Sequence, residues 1–249
     1  HSSEVLPGHT HTPHHCVTQA DALGWDNPIH HEVWTQEELM AVKYTHKEPE
    51  TKLDTFANFL AQSTRYMFDT VTGYKHEGRL PVKVWLRRLI FLETIAGVPG
   101  MVAGMLRHLR SLRRMQRDGG WIHTLLEEAE NERMHLLTFL NLRDPGPMFR
   151  LVVLGAQGVF ANLFFISYVL SPQTCHRFVG YVEEEAVATY TRLIHDLENG
   201  LLPEWEAEPV PALAQKYWHL PEDAKFVDLI RAIRADEANH RDVNHAFAN

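Results

Sequence analysis

Asn131-Glu132-Arg133-Met134-His135 and, much further along, Asp236-Glu237-Ala238-Asn239-His240 decide how this chain is read. In each, a carboxylate and an imidazole stand three residues apart, so on a helix they lie one turn apart on the same face and form a chelating pair. Each pair interrupts an apolar stripe stepped by fours and threes: Trp121, Leu125, Glu128, Glu132, His135, Phe139 in the first, and Phe226, Ile230, Ile233, Glu237, His240, Asn244 in the second. Two further stripes carry a single acid at the equivalent place: Leu86, Ile90, Glu93, Gly97, Gly100, Gly104, and Val179, Glu183, Ala186, Tyr190, Leu193. Stripes of this period face a core. Four glutamates and two histidines are therefore directed at one interior, and the three glycines imply close helix approach.

Working outward, the whole chain after about residue 50 shows helical periodicity and no run of strict alternation. The pattern predicts helices near 53–72, 82–115, 121–142, 148–170, 173–199 and 223–246. Gly119-Gly120, the Asp144-Pro145-Gly146-Pro147 run, Pro172 and the Pro203-to-Pro221 stretch separate them. The expected fold class is all-α, with residues 51–249 as one domain and residues 1–50 as an extended N-terminal arm. That arm opens with five of the 17 histidines in its first 15 residues and reads as disordered. A net charge of −8 argues against a nucleic-acid partner. Two cysteines, Cys16 and Cys175, are too few for a disulfide framework, which favours a reducing compartment and leaves neither with a regulatory role.

Burying four unpaired carboxylates would cost several kcal/mol each, more than the roughly 5–15 kcal/mol that hold a domain together. Two divalent cations would balance four glutamates with both histidines neutral, and oxygen donors with imidazole suit iron or manganese. The set Glu93, Glu132, His135, Glu183, Glu237, His240 matches the template of ferritin-like di-iron and di-manganese bundles, which is known and not deduced from spacing alone. Because Glu183, Glu184 and Glu185 are consecutive, one points straight inward; Glu183 is the choice and Glu184 the runner-up, with one or both others facing solvent or a helix end. Spacing leaves open whether His135 and His240 ligate directly. Tyr190, two turns beyond Glu183, is either an electron and proton donor near the metals or a core tyrosine. Asn131 and Asp236 precede the two Glu-x-x-His pairs and can hydrogen-bond an imidazole N–H.

Leu151 to Leu170 carries no charge and would be about 30 Å long as a helix. If it crossed a bilayer, Glu132 and Glu183 would fall on opposite sides unless a highly charged helix entered lipid. A helix lying in the interface of one leaflet removes the conflict. Leu53, Phe56, Leu60, Met67 and Val71 give residues 53–72 a similar apolar stripe, so the two helices are expected to form a monotopic anchor. Arg107, Arg110, Arg113, Arg114 and Arg117 are candidates for lipid phosphate, or for a solvated face or subunit pairing.

Leu92-Glu93-Thr94 with Ala96-Gly97-Val98-Pro99-Gly100-Met101, then Asn131 to His135, Glu183-Glu184-Glu185-Ala186, and Arg234-Ala235-Asp236-Glu237-Ala238 together resemble the mitochondrial alternative oxidases. The resemblance covers roughly residues 80–249, continues weakly through Tyr44-Thr45-His46-Lys47, and is nearest to protist, trypanosomal-type members. It implies a cyanide-insensitive ubiquinol oxidase that reduces O2 to water without pumping protons. It also implies a centre of two iron ions, a homodimer, and a place on the matrix side of the mitochondrial inner membrane. By the same matching, the six residues above are iron-site residues, Tyr190 is the essential tyrosine, and Arg88, Leu92, Ala186 and Thr189 line the quinol pocket. The rival expectations are a soluble ferroxidase or iron-storage bundle and a metal-free helical membrane adaptor.

Overall fold

The computed structural model describes residues 31–74 and 78–249; the His-rich tract and Cys16 lie outside these. Among the described residues there are helices and no strand. They are α1 (Gln36–Ala41), α2 (Lys52–Thr72), α3 (Val82–Arg114), α4 (Trp121–Leu142), α5 (Pro147–Leu170), α6 (Pro172–Glu198), α7 (Pro203–Glu206), α8 (Ala212–Tyr217) and α9 (Phe226–Phe247). The six long helices fall within about three residues of the ends that the periodicity predicts.

Local chemistry sets those ends. Thr51 and Asp54 close a capping box at the start of α2, and Gly73 ends it in the left-handed conformation. Pro147 and Pro172 occupy the first turns of α5 and α6, where no N–H is needed. Helices α3, α4, α6 and α9 form the central bundle, paired most extensively as α3 with α4 and α6 with α9. The first pair touches backbone to backbone: a Cβ on Gly100 would lie 2.6 Å from the Leu125 carbonyl oxygen. In the second, a Cβ on Gly180 would lie 2.5 Å from His245 Nδ1. Trp85, Phe139, Leu193, Ile230 and Ile233 fill the interior, each contributing about 1.5–3 kcal/mol by leaving water.

Helices α2 and α5 lie outside the bundle, on α6 and on α3 respectively. Their polarity is inverted. In α2 the buried positions are Asp54, Ala57, Ala61, Asp69 and Thr72, while Phe56, Phe59, Met67 and Val71 are exposed. In α5 only Phe164 and Tyr168 are buried, and Leu151, Val152, Leu154, Val159, Leu163, Ile166 and Val169 face outward. Most of both stripes therefore lies outside the core, with Leu53 and Leu60 half-buried, and contiguous exposed apolar faces are the kind of surface that meets a membrane or a protein.

Residues 31–50 differ from the extended arm expected. They run along the bundle, and Thr35 with Glu38 closes a capping box that starts α1. Leu39 is buried, and its carbonyl accepts from Arg234 Nη2 (2.9 Å). Arg241 Nη1 likewise donates to the Lys43 carbonyl (3.1 Å). The short helices α7 and α8 occupy the proline-rich stretch read as turns.

Candidate metal centre

Glu93 from α3, Glu132 and His135 from α4, and Glu237 from α9 each offer a ligand atom within 4.8 Å of the others, all buried. His135 Nδ1 stands 3.5 Å from Glu93 Oε2, 3.6 Å from Glu132 Oε2 and 3.4 Å from Glu237 Oε1. Those separations are long for hydrogen bonds. They suit donors that share one ion, because bonds of about 2.0–2.1 Å leave neighbouring donors roughly 3–3.4 Å apart. His240 Nδ1 lies 2.8 Å from Glu132 Oε1, close but poorly directed as a hydrogen bond. Glu183 of α6 is buried and lines the same cavity as Glu93 and Glu237. Four of the six residues expected in the site form the cluster, His240 lies against Glu132, and Glu183 is buried on the facing helix.

Electrostatics tests whether these residues fit a cation. Glu93 Oε2, both Glu132 oxygens, His135 Nδ1 and His240 Nδ1 are buried without a hydrogen-bond partner. Burial, reinforced by Glu132, pushes Glu93 well above the usual carboxylate range. Burial with Glu237 and Glu132 does the same to Glu183. Glu132 is held below that range although burial opposes it, because His135 and His240 face it. Burial also works against the charge on His240, yet Glu132 and its neighbours lift it to about 9. Left to themselves, the acids compete for protons and borrow charge from the imidazoles; a bound cation satisfies the same lone pairs directly. The fit is good.

The histidine on α4 is oriented from behind. Asp236 Oδ2 accepts from His135 Nε2 (3.1 Å), Asn131 Nδ2 (3.0 Å) and Trp218 Nε1 (2.7 Å), while its Oδ1 accepts from Trp34 Nε1 (2.6 Å). With Nε2 donating, His135 presents the Nδ1 lone pair to the carboxylates. Asp236 therefore serves the histidine of the other helix, not its own neighbour. Asn131 touches no imidazole; it braces Asp236 and donates to Tyr217 (3.2 Å).

The triple acid of α6 is divided among three tasks. Glu183 faces the centre. Glu184, the runner-up for the inward position, is also buried, and accepts from His46 Nδ1 (2.6 Å), His245 Nε2 (2.8 Å) and the Lys47 N–H (2.9 Å). Glu185 pairs with Arg65 of α2 and accepts from Gln62 (2.7 Å). Another buried acid, Glu128, lies one turn before Glu132 and is pushed up to about 7, chiefly by burial. Asn244 Nδ2 donates to it (2.9 Å), and Asn244 in turn accepts from His176 (2.9 Å). Glu128 was legible on its stripe; Trp34, Trp218 and His46 gave no periodic signal.

On the α2–α5 side the centre opens into a cavity of about 590 Å³. Glu93, Glu183, Glu237 and Tyr190 reach its inner end, and Arg88, Leu92, Ala186 and Thr189 all line it. Tyr190, fully enclosed, donates its hydroxyl to Glu93 Oε1. Arg88 pairs with Asp69 (2.6 Å), donates to Thr72 (3.2 Å) and lies over the Tyr74 ring (4.0 Å). Thr189 spends its proton on the Glu185 carbonyl (2.8 Å), which leaves its oxygen as an acceptor only. Arg107, one of the arginines left open between lipid phosphate, a solvated face and subunit pairing, is tied to Asp118 (2.9 Å) and lies over Trp121 (3.9 Å).

A bundle whose four central helices converge buried glutamates and two histidines on one point defines a carboxylate–imidazole metal-centre protein of the helical-bundle class. Residues 34–249 match the family described as "Alternative oxidase". The chain is 57% identical over 229 residues to the mitochondrial alternative oxidase of Emericella nidulans, 56% over 232 to that of Ajellomyces capsulatus and 55% over 229 to that of Aspergillus niger. Each alignment covers 88% of this chain and 65% of the relative's length. The chain belongs to the alternative oxidase family. These relatives are fungal, which corrects the leaning toward protist members.

Proposed function

We propose that this chain is a quinol oxidase that takes electrons from ubiquinol and reduces O2 to water without moving protons across the membrane. The observation that carries the reading is the junction of two unlike environments. A buried cluster of four acids and two histidines meets, at Tyr190 and Glu93, a cavity of about 590 Å³ that opens among the outward-apolar helices α2 and α5. A volume of that size suits a substituted aromatic ring.

Two iron ions, held by Glu93, Glu132, Glu183 and Glu237 with His135 and His240, would supply electron storage and O2 activation. The chain's own residues supply the rest. Arg88, fixed by Asp69 and Tyr74, offers N–H groups to a quinol oxygen, and Thr189 accepts from a quinol hydroxyl. Leu92 and Ala186 give the ring an apolar berth beside Glu93. Tyr190 holds its proton on Glu93, with burial and that carboxylate pushing the phenol well above its ordinary value. It therefore transfers an electron most easily when its proton moves to Glu93 at the same time. Two quinols release four electrons and four protons, which balance one O2 reduced to two waters.

The apolar faces of α2 and α5 support monotopic attachment to one leaflet. The mitochondrial naming of the relatives supports a mitochondrial location, and the matrix side of the inner membrane is the finer part of the proposal. Exposed Met101, Met105, Leu109 and Leu112 along α3 support pairing as a homodimer. Purified protein should consume O2 with ubiquinol in the presence of cyanide and hold two irons per chain. Iron uptake without quinol oxidation would instead establish a ferroxidase.

A further inference from the structure

The large cavity is not alone in reaching residues of the centre. On the opposite side a narrow polar cleft, of about 30 Å³, runs between α4 and α9 under the segment at residues 31–34. Glu32, Glu127, Glu128 and Asp236 line it, and His240 stands in its wall. Two buried groups in this lining lack partners, Asn131 Oδ1 and His240 Nδ1, at 4% and 5% residue exposure. They are an oxygen and a nitrogen of the kind that coordinate a hard or borderline cation.

We propose that this cleft is the passage by which a divalent cation reaches the centre, with Glu32 and Glu127 as its attracting rim and Asn131 and His240 as the donors that receive the ion. The proposal rests on the metal-centre reading above. An apolar lining offers a divalent ion nothing in exchange for its water, which disfavours the large cavity as an entrance: its carboxylates Glu93, Glu183 and Glu237 lie at the inner end, and Glu185 is tied to Arg65. The cleft carries Glu32 and Glu127 at its rim, Asp236 and Glu128 being held by their own hydrogen bonds, and its volume is about the share of one water in the liquid. An incoming ion must therefore exchange its hydration shell for protein donors as it advances. Two walls of the cleft are long helices. The third is extended chain, pinned through His31 Nε2 and the Tyr217 carbonyl (2.8 Å) and through Trp34 and Asp236 (2.6 Å), so it is the wall that yields most cheaply.

The test follows cobalt(II) uptake by metal-stripped full chain in detergent under nitrogen, read by cobalt absorbance and bound stoichiometry rather than by turnover. The rim variant Glu32→Gln/Glu127→Gln should take up cobalt about fivefold more slowly and with weaker dependence on salt, reaching the same final stoichiometry. Thr124→Trp, which obstructs the cleft from α4, should also slow uptake. Ala156→Trp, which obstructs the apolar cavity from α5, should leave uptake unchanged. Uptake by both cleft variants within about twofold of the unmodified rate overturns the proposal, as does slowing by Ala156→Trp alone. If the unmodified chain binds no stoichiometric cobalt, the metal centre itself falls and the passage with it; unimpaired uptake in the variants removes the passage only.

Discussion

Gly100→Ala tests the contact on which the geometry of the centre depends. The added methyl would sit 2.6 Å from the Leu125 carbonyl oxygen and 3.1 Å from the Ala129 nitrogen, both backbone atoms that cannot rotate aside. Ordinary contact begins near 3.4 Å, so α3 and α4 must separate by about 0.8 Å. Overpacking of this kind costs about 1–3 kcal/mol, and a rigid backbone neighbour places it at the upper end. Alanine returns about 1 kcal/mol of helix propensity. The net is about 2 kcal/mol of destabilisation, or a fall in Tm of roughly 4–8 °C for a chain of this size. The same substitution at Gly158 of α5, where nothing lies within 4 Å of the new methyl, should stabilise by about 0.5–1 kcal/mol. Circular dichroism melts in one detergent compare the two directly. A Tm for Gly100→Ala equal to or above that of the unmodified protein would refute the close approach of α3 and α4. Because Ala129 lies one turn before Glu132, metal affinity should fall with it.

Glu132→Ala should abolish stoichiometric metal binding and O2 uptake together, and retained metal would disprove the ligand assignment. Tyr190→Phe should keep the metal and lose quinol turnover, whereas full activity would reduce the tyrosine to a packing residue. Cys175, whose thiol burial pushes up to about 12, should resist iodoacetamide at pH 8 in the native protein and react once unfolded; rapid native alkylation would contradict its burial. Glu184 lies below the usual carboxylate range despite burial, because His245, the Lys47 N–H and His46 favour its charge. Its stabilising contribution is present above the unfolded value near pH 4.3 and is lost as pH falls through the lower folded value. Glu184→Gln should accordingly flatten the acid limb of the stability curve, and an unchanged limb would show that the network carries no such linkage.

The metal centre was legible because helical periodicity turns spacing into direction. Glu93, Glu132, Glu183 and Glu237 could be placed on one interior from their apolar neighbours alone. Part of what surrounds them was not legible, for a physical reason. Asp236 is held by Trp34 and Trp218, which come from irregular chain where no period predicts direction. Glu184 could be ranked second to Glu183 for the inward position but its task could not be read, since its partner His46 lies in an extended segment more than a hundred residues away. The start of α1 was visible in principle, as Thr35 and Glu38 stand at capping-box spacing, but a helix of six residues leaves too little periodicity to announce itself.

Glu183, Glu184 and Glu185 work like adjacent teeth on one shaft, because successive residues of a helix point about 100° apart. Turning α6 to release Glu183 from the centre would drag Glu185 off Arg65 and Glu184 off both histidines. Metal content and the seating of α2 should then be thermodynamically linked, with stripped protein leaving lipid vesicles more readily than loaded protein. Equal partitioning of the two forms between vesicles and buffer would show that the shaft slips.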